Sequence, residues 1–342
     1  MIRVGVVGYG YWGPNLVRNF SEADGSRVTA VCDARAERLA LAAKRCPGIE
    51  VYASAWDLIH SANVDAVVIA TPVSSHFDLA LSALQAGKHV LVEKPLTATA
   101  GQALRLIDEA ERRRLTLMVD HTFVYTGAVR RIRQEVESGA LGPIYYYDSV
   151  RVNLGLFQHD VNVLWDLAVH DLSIMDYVLA ARPCAVSATG VSHVPNEPEN
   201  VAYLTLFFET SLIAHIHVNW LAPVKVRRTL IGGASKMIVY DDLEPSEKIK
   251  IYDKGITVTS RPEHVYEMLI SYRTGDMHAP QLPMTEALQV EAKHFLRCVG
   301  GLEKPVSGGE AGLHVVSLLE AASQSLARRG QPVEIHSVRA AA

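Results

Sequence analysis

The stretch "VGVVGYGYWGPNLVRNF", Val4 to Phe20, decides how this chain is read. The strand-like run IRVGVVG leads straight into Gly8, Gly10 and Gly13, and a helical run follows at once. A dinucleotide-binding turn needs that context: the first glycine permits a tight turn, the second lets backbone approach a pyrophosphate, and the third lets helix pack on strand. Pro14 suits the first helical turn, where its missing N–H is not needed. The glycines alone fit a ligand-free turn as well. Asp33 tips the balance, because it ends the second strand-like run twenty residues after Gly13, where a carboxylate accepts hydrogen bonds from the ribose hydroxyls of NAD and repels the 2′-phosphate of NADP. Arg35 lies close enough to pair with such a phosphate, so NADP stays open. Tyr11 and Trp12 are bulky for this turn. Trp12 has two readings, a cover over the pyrophosphate or nicotinamide ribose, or packing against a second domain.

The 342 residues exceed one ordinary domain, and 49% apolar residues can bury a sizeable core, so two domains are expected. Thirty-three basic residues against 37 acidic ones give a net charge of −4 with no dense basic block, which argues against nucleic acid or anionic lipid as partner. Cys32, Cys46, Cys184 and Cys298 form no CxxC pair, so neither a zinc site nor a disulfide framework is signalled. No apolar run approaches the ~18 residues of a membrane span, and because the first strand-like run starts at Ile2 no secretory leader is expected. These features predict a soluble cytoplasmic protein.

From the opening stretch to His121, short apolar runs (IRVGVVG, VTAVCD, VDAVVIAT, HVLVEKP, LTLMVDH) alternate with helical segments, the pattern of a doubly wound parallel sheet covered on both faces. Residues 1–121 are therefore predicted to form a Rossmann domain. From residue 122 to 342 strands follow one another (IYYYDSVRV, AVSATGV, VAYLTLFFE, LIAHIHVNWL, RRTLIGG, SKMIVYDD, KIKIYDK), which predicts an α/β domain with a large open, mainly antiparallel sheet. One helix near Asp166 to Leu179 interrupts it, and Glu286 to Val299 and Gly309 to Arg329 form two more.

Two further strand ends, "ATPVSSH" (Ala70 to His76) and "VEKP" (Val92 to Pro95), converge on the edge where ligands of open α/β sheets sit. With the glycine turn followed about 80 residues later by Glu93-Lys94-Pro95, the chain resembles the Gfo/Idh/MocA oxidoreductases over its whole length. The resemblance implies a Rossmann domain, a C-terminal domain whose open sheet makes homodimer or homotetramer contacts, and an NAD(P)-dependent hydride transfer. It also implies that Thr71, Pro72, His76, Glu93 and Lys94 line the cofactor path, joining Gly8, Gly10, Tyr11, Trp12, Gly13, Asp33 and Arg35, with His121 near the domain crossover.

For the reacting centre, Lys94 on a strand end can stabilise a developing alkoxide, and a snorkelling surface lysine is the bland alternative. In "WDLAVHD", Asp166 and His170 are four apart and project from one face if helical. Histidine suits general acid/base work, and Asp166 can orient it or bind a substrate hydroxyl; a pair that merely braces a helix is the alternative. The spacing matches the family's aspartate and histidine pair. Catalysis is therefore assigned to Lys94, Asp166 and His170, with substrate held by these three and Asn153 between the domains. "VNLGLFQHDVNVLWD" adds Gln158, His159, Asp160 and Asn162, hydrogen-bonding groups suited to a polyhydroxylated substrate. The wording resembles family members of nucleotide-sugar pathways, so a sugar, above all a nucleotide sugar, is the expected substrate. Arg130, Arg131, Arg151 or Arg227 could meet a diphosphate, with surface salt bridging the role expected of most of them. His215 and His217 share one side of a strand and lack a third ligand in sequence, so the polar face of a sheet or an oligomer contact is expected there and no metal. The competing functions are a cyclitol or free-sugar dehydrogenase, an NAD-recycling hydrolase or isomerase, and a redox-silent dinucleotide sensor.

Overall fold

The computed structural model describes residues 1–155, 161–258 and 270–335. Two compact units emerge, residues 1–126 with 285–317, and residues 127–284 with 318–342. The single cut expected after residue 121 is thus replaced by an interleaved division. The segment carrying Glu286 to Val299, expected in the second domain, belongs to the first unit, because its helix buries Leu288, Ala292 and Phe295 and the Phe295 ring meets Phe20 edge-on at 5.9 Å.

The first unit is built on six parallel strands: β1 (Ile2–Val7), β2 (Ser26–Cys32), β3 (Glu50–Tyr52), β4 (Ala66–Ile69), β5 (His89–Glu93) and β6 (Leu117–Asp120). Their order is β3-β2-β1-β4-β5-β6, so the chain reverses direction across the sheet between β1 and β4. Ligands of open sheets collect at such a reversal, beyond the carboxyl ends of the strands. Val4, Val6 and Val7 of β1 and all four residues of β4 are buried, as strands covered on both faces must be. The helices are α1 (Gly13–Glu22), α2 (Ala36–Arg45), α3 (Ala55–His60), α4 (Val73–Gln85) and α5 (Ala100–Arg113). The short pair β3 and α3 carries too little apolar pattern to be read from sequence.

In the second unit, α6 (Gly127–Glu137) is a helix that the sequence reading missed. It buries only Ala128, Val129 and Ile132, and its polar face is laced by the i,i+4 pairs Arg131–Glu135 and Arg133–Glu137. The sheet consists of β7 (Ile144–Leu154), β8 (Ala185–Val191), β9 (Val201–Phe207), β10 (Ile213–Asn219), β11 (Leu221–Gly233), β12 (Met237–Asp241) and β13 (Ile249–Tyr252). A separate hairpin pairs β14 (Gly255–Val258) with β15 (Ile270–Arg273), and two short edge strands, β16 (Met277–His278) and β17 (Val333–Glu334), complete the large sheet. Its order is β16-β13-β12-β11-β7-β10-β9-β8-β17, antiparallel throughout except where β7 runs parallel to β10. One face is buried through Tyr147, Ser149 and Arg151 of β7 and Ala214, Ile216 and Val218 of β10. The opposite face exposes Val191, Tyr203 and Phe207. Helix α7 (Val169–Val178) lies in this unit; α8 (Ala287–Val299) lies in the first, and α9 (Gly309–Ala327) runs from residues of the first into residues of the second.

Candidate active site

In the first unit the glycine turn has the geometry its spacing predicts. Gly8 has φ +99°, and a Cβ there would stand 2.3 Å from the Ala70 carbonyl oxygen. A Cβ on Gly13 would stand 2.1 Å from the Gly8 carbonyl oxygen, so helix α1 starts tight against the turn. At Gly10 the added carbon meets nothing nearer than the Arg35 guanidinium, at 3.5 Å. The turn therefore has one open approach to backbone, at its middle glycine and at the N-terminus of α1, where open N–H groups and the helix dipole favour a phosphate. These features fit a dinucleotide.

Tyr11 is 90% exposed, while the Trp12 indole N–H donates to Asp120 at 2.9 Å. Trp12 is thus anchored within the first unit. Asp33 is buried and accepts from the Tyr9 amide, the Arg35 amide and the Arg35 side chain. Burial pushes its carboxyl up, but those hydrogen bonds, the Arg35 guanidinium first, outweigh burial and hold it below the usual range.

Along the remaining strand ends, Pro72 precedes α4, and Thr71 accepts a hydrogen bond from Ser75 at 2.7 Å. His76, expected on the cofactor path, is buried between two loops, its Nδ1 2.8 Å from the Pro95 carbonyl and its Nε2 2.8 Å from the Thr71 carbonyl, so the one N–H of the neutral ring that burial favours donates to one of these carbonyls. Lys94 is half-buried, with its amide donating to the Glu93 carboxylate at 3.0 Å, and His121 is buried beside Asp120.

Glu93 does not face a ligand alone. In the parallel ladder it sits opposite Asp120, and Glu291 of α8 completes a cluster of three carboxyls. Burial, then the Asp120 charge, pushes both glutamates well above the usual carboxylate range. Asp120 accepts from the Trp12 indole and from the Thr122 hydroxyl. Asp120 and Glu291 were not singled out from sequence. The available signal was a glutamate among Leu288, Ala292 and Phe295, on the apolar face of its helix.

In the second unit, Asp166 lies in a π-helical turn, Leu164–Ala168, closed by the Val169 amide bonding to the Leu164 carbonyl, rather than in the α-helix expected. His170 follows in the first turn of α7. A π turn inserts an extra residue into the helical path and recurs at functional sites. The indole N–H of Trp220, buried at the end of β10, donates to Asp166 Oδ2 at 3.0 Å. Gly155 makes room for that ring, since a Cβ there would stand 2.5 Å from Trp220 Cδ1. Next to His170, Asp171 accepts from Arg151 Nε at 2.6 Å and from Ser149 at 2.6 Å, and Asp171 and Arg151 are both buried. This pair pins the start of α7 to β7.

That role removes Arg151 from the diphosphate candidates, because its guanidinium is committed to Asp171 inside the fold. Arg131 pairs with Glu135 and Arg227 with Asp242, whereas Arg130 is exposed on α6. Asn153 is half-buried on β7. Asn162 caps the π turn, accepting from the Leu164 amide at 3.2 Å. Gln158, His159 and Asp160 lie outside the described residues. His215 sits 3.5 Å from Asp148 Oδ1, and His217 stacks on Tyr203 with ring centroids 4.3 Å apart. Among the described residues, no group of three or more His, Cys, Asp or Glu is placed to hold a metal ion.

Residues 2–121 match the family described as "Oxidoreductase family, NAD-binding Rossmann fold", and residues 129–239 match the "GFO/IDH/MocA C-terminal domain". The UDP-N-acetylglucosamine 3-dehydrogenase of Acidithiobacillus ferrooxidans is 30% identical across 92% of this chain and 94% of its own. The chain belongs to the Gfo/Idh/MocA oxidoreductase family. A second relative in the family, inositol 2-dehydrogenase 2 of Saccharopolyspora erythraea, is 31% identical over 68% of this chain and 71% of that one. A solved structure of the Acidithiobacillus ferrooxidans enzyme superposes with a TM-score of 0.82 at 26% identity, covering 96% of this chain and 99% of that one. The family model matched by residues 2–121 describes an NAD-binding fold, in agreement with the open approach at Gly10. Among the described residues no helix is long and apolar enough to cross a membrane.

Proposed function

We propose that this oxidoreductase moves a hydride between NAD and a secondary carbinol of a nucleotide sugar, with Lys94, Asp166 and His170 as the acting side chains. The observation that carries the reading is the π turn, where Trp220 holds Asp166 and the Arg151–Asp171 pair fixes the helix bearing His170. Bound NAD supplies the hydride acceptor. His170 takes the proton of the substrate hydroxyl, and the Lys94 ammonium stabilises the oxygen as it gains negative charge. Asp166, with one oxygen held by Trp220, orients His170 or accepts from a sugar hydroxyl. In the reverse direction His170 returns the proton to the alkoxide. Asn153 adds a hydrogen-bonding group for substrate.

The likeness to a UDP-N-acetylglucosamine dehydrogenase across nearly the whole chain supports a nucleotide sugar, and the likeness to an inositol dehydrogenase supports a cyclitol as the second reading. A thermal-shift screen with NAD paired with UDP-, GDP- and dTDP-sugars or with free inositol separates them, since ligands of the folded state raise its apparent stability. A shift with inositol alone would replace the first reading by the second. His170→Asn is expected to lower kcat by at least ~10²-fold with NAD affinity intact. Unchanged turnover would remove His170 from the mechanism. Hydride exchange with no carbinol of any of these classes would favour a redox-silent sensor.

The outward face of the large sheet, with Tyr203 and Phe207 exposed, supports a homodimer or homotetramer formed through that sheet. The free thiols of Cys32, Cys46, Cys184 and Cys298 support a reducing, cytoplasmic setting.

A further inference from the structure

Three carboxyls meet inside the first unit, and the hydride transfer described above uses none of them as an acid. Asp120 and Glu291 are buried, and Glu93 is half-buried at the end of β5. Asp120 has a donor on each oxygen, the Trp12 indole on Oδ2 and the Thr122 hydroxyl on Oδ1, and Glu93 accepts from the Lys94 amide. Glu291 differs. Neither of its oxygens meets a donor among the described residues, and it faces Asp120, which lies within hydrogen-bonding reach of both glutamates. Carboxylates only accept, so two of them hydrogen-bond when one carries a proton. The cluster therefore holds a proton, and Glu291, which has no other donor to compensate its charge, is the seat for it.

The surrounding groups leave that proton in place. On β5, Lys94 draws Glu93 toward its charged form less than burial and Asp120 oppose it. His121 follows Asp120 at the end of β6 and is buried there. From the turn after β6, Tyr125 faces Glu291; burial keeps its phenol neutral, and it bonds the Ser307 hydroxyl at 2.8 Å. Helix α1 packs Phe20 against α8 and sends Arg18 to Glu286, at the exposed start of α8. Further along α8, His294 is held by Glu303.

The cluster closes the ends of β5 and β6. A dinucleotide lies across both halves of a doubly wound sheet. Asp33 marks the adenosine ribose on the half made by β1, β2 and β3, so the nicotinamide belongs to the half made by β4, β5 and β6. An oxidised nicotinamide ring carries a positive charge and a reduced ring carries none. A positive ring favours the ionised form of nearby carboxyls, most strongly where water is scarce.

We propose that Glu93, Asp120 and Glu291 form a proton-releasing counter-charge for oxidised nicotinamide. When oxidised NAD binds, the proton shared by Asp120 and Glu291 passes to solvent, and the carboxylate left behind balances the ring. NADH leaves the proton where it is. The cofactor is then held more firmly in its oxidised form as pH rises. The proposal rests on the assignment of the glycine turn to NAD and does not depend on which carbinol is oxidised.

Titration calorimetry at pH 7.5 in phosphate and in Tris, buffers with different heats of ionisation, counts the protons released per cofactor bound without reference to turnover. NADH is the control, because it shares every part of NAD except the charged ring. Oxidised NAD is expected to release a large fraction of one proton and NADH close to none. Between pH 6 and 9 the affinity for oxidised NAD should rise, by up to about tenfold per pH unit, while that for NADH stays flat. Glu291→Gln cannot ionise and can donate to Asp120, so it should lose most of the release and flatten the pH dependence. Equal release with both forms, no release with oxidised NAD, or full release retained in Glu291→Gln would overturn the proposal and leave the cofactor assignment standing. Binding of neither form would overturn both.

Discussion

Glu291→Gln should make the protein more stable, by an amount that grows with pH. Glu291 is fully buried on α8, neither of its carboxyl oxygens meets a donor among the described residues, and it faces the Asp120 charge. Burial first, then Asp120, raises its pKa well above the usual 4.5. The sign follows from proton counting. Between 4.5 and the raised value, the folded state keeps a proton that the unfolded chain releases, so stability is full below that window and is lost as pH rises through it. One proton changes stability by about 1.4 kcal/mol per pH unit, so the loss from Glu291 at pH 7.5 is bounded at about 4 kcal/mol. An amide of the same shape carries no such penalty and can donate to Asp120, which keeps its Trp12 and Thr122 partners. Urea unfolding followed by circular dichroism from pH 5 to 9 measures this. The wild-type and Glu291→Gln profiles should start close together at pH 5 and diverge upward, with Glu93 contributing the slope that remains in the variant. Parallel profiles, or a variant that loses stability at pH 8, would refute the reasoning.

Gly13→Ala should distort the cofactor turn, because its methyl would sit 2.1 Å from the Gly8 carbonyl oxygen; calorimetry should show NAD affinity down by at least about tenfold while far-UV dichroism keeps the native helix content. Arg151→Met leaves the buried Asp171 carboxylate without its cation and should cost about 3–5 kcal/mol in urea unfolding. Replacing both partners, Arg151→Met with Asp171→Leu, should recover part of that loss, because no buried charge then stands alone.

The parts of this protein that were legible in its sequence are those in which neighbouring residues carry the whole signal. β1, the glycine turn, α1 and Asp33 follow one another along the chain, and each glycine has a local steric reason. Strands buried on both faces read as apolar runs because nothing polar is tolerated there. Where the sequence reading stopped short, as at α6, the apolar stripe is only three residues wide and the helix is supported by surface ion pairs, a weak signal in one sequence.

The site residues that escaped notice are those brought together by register and packing. Glu93 and Asp120 meet because parallel strands β5 and β6 pair with those two residues opposite each other, and Glu291 arrives on α8 from 171 positions further along the chain. Trp220 and Asp166 likewise meet only when the end of β10 reaches the π turn. In both clusters an indole N–H donates to a carboxylate next to a residue assigned to cofactor or substrate: Trp12 to Asp120 beside His121, and Trp220 to Asp166 four residues before His170. An indole donates one hydrogen bond and accepts none, so each ring fixes one carboxylate oxygen and leaves the other for another partner. A large ring also has few rotamers to lose, which makes it a stiff support for an acid whose direction matters. The same physics places His76 and Arg151, residue types suited to binding ligands, inside the fold, the first between the Thr71 and Pro95 carbonyls and the second on Asp171, because a buried polar group left unpaired is costly.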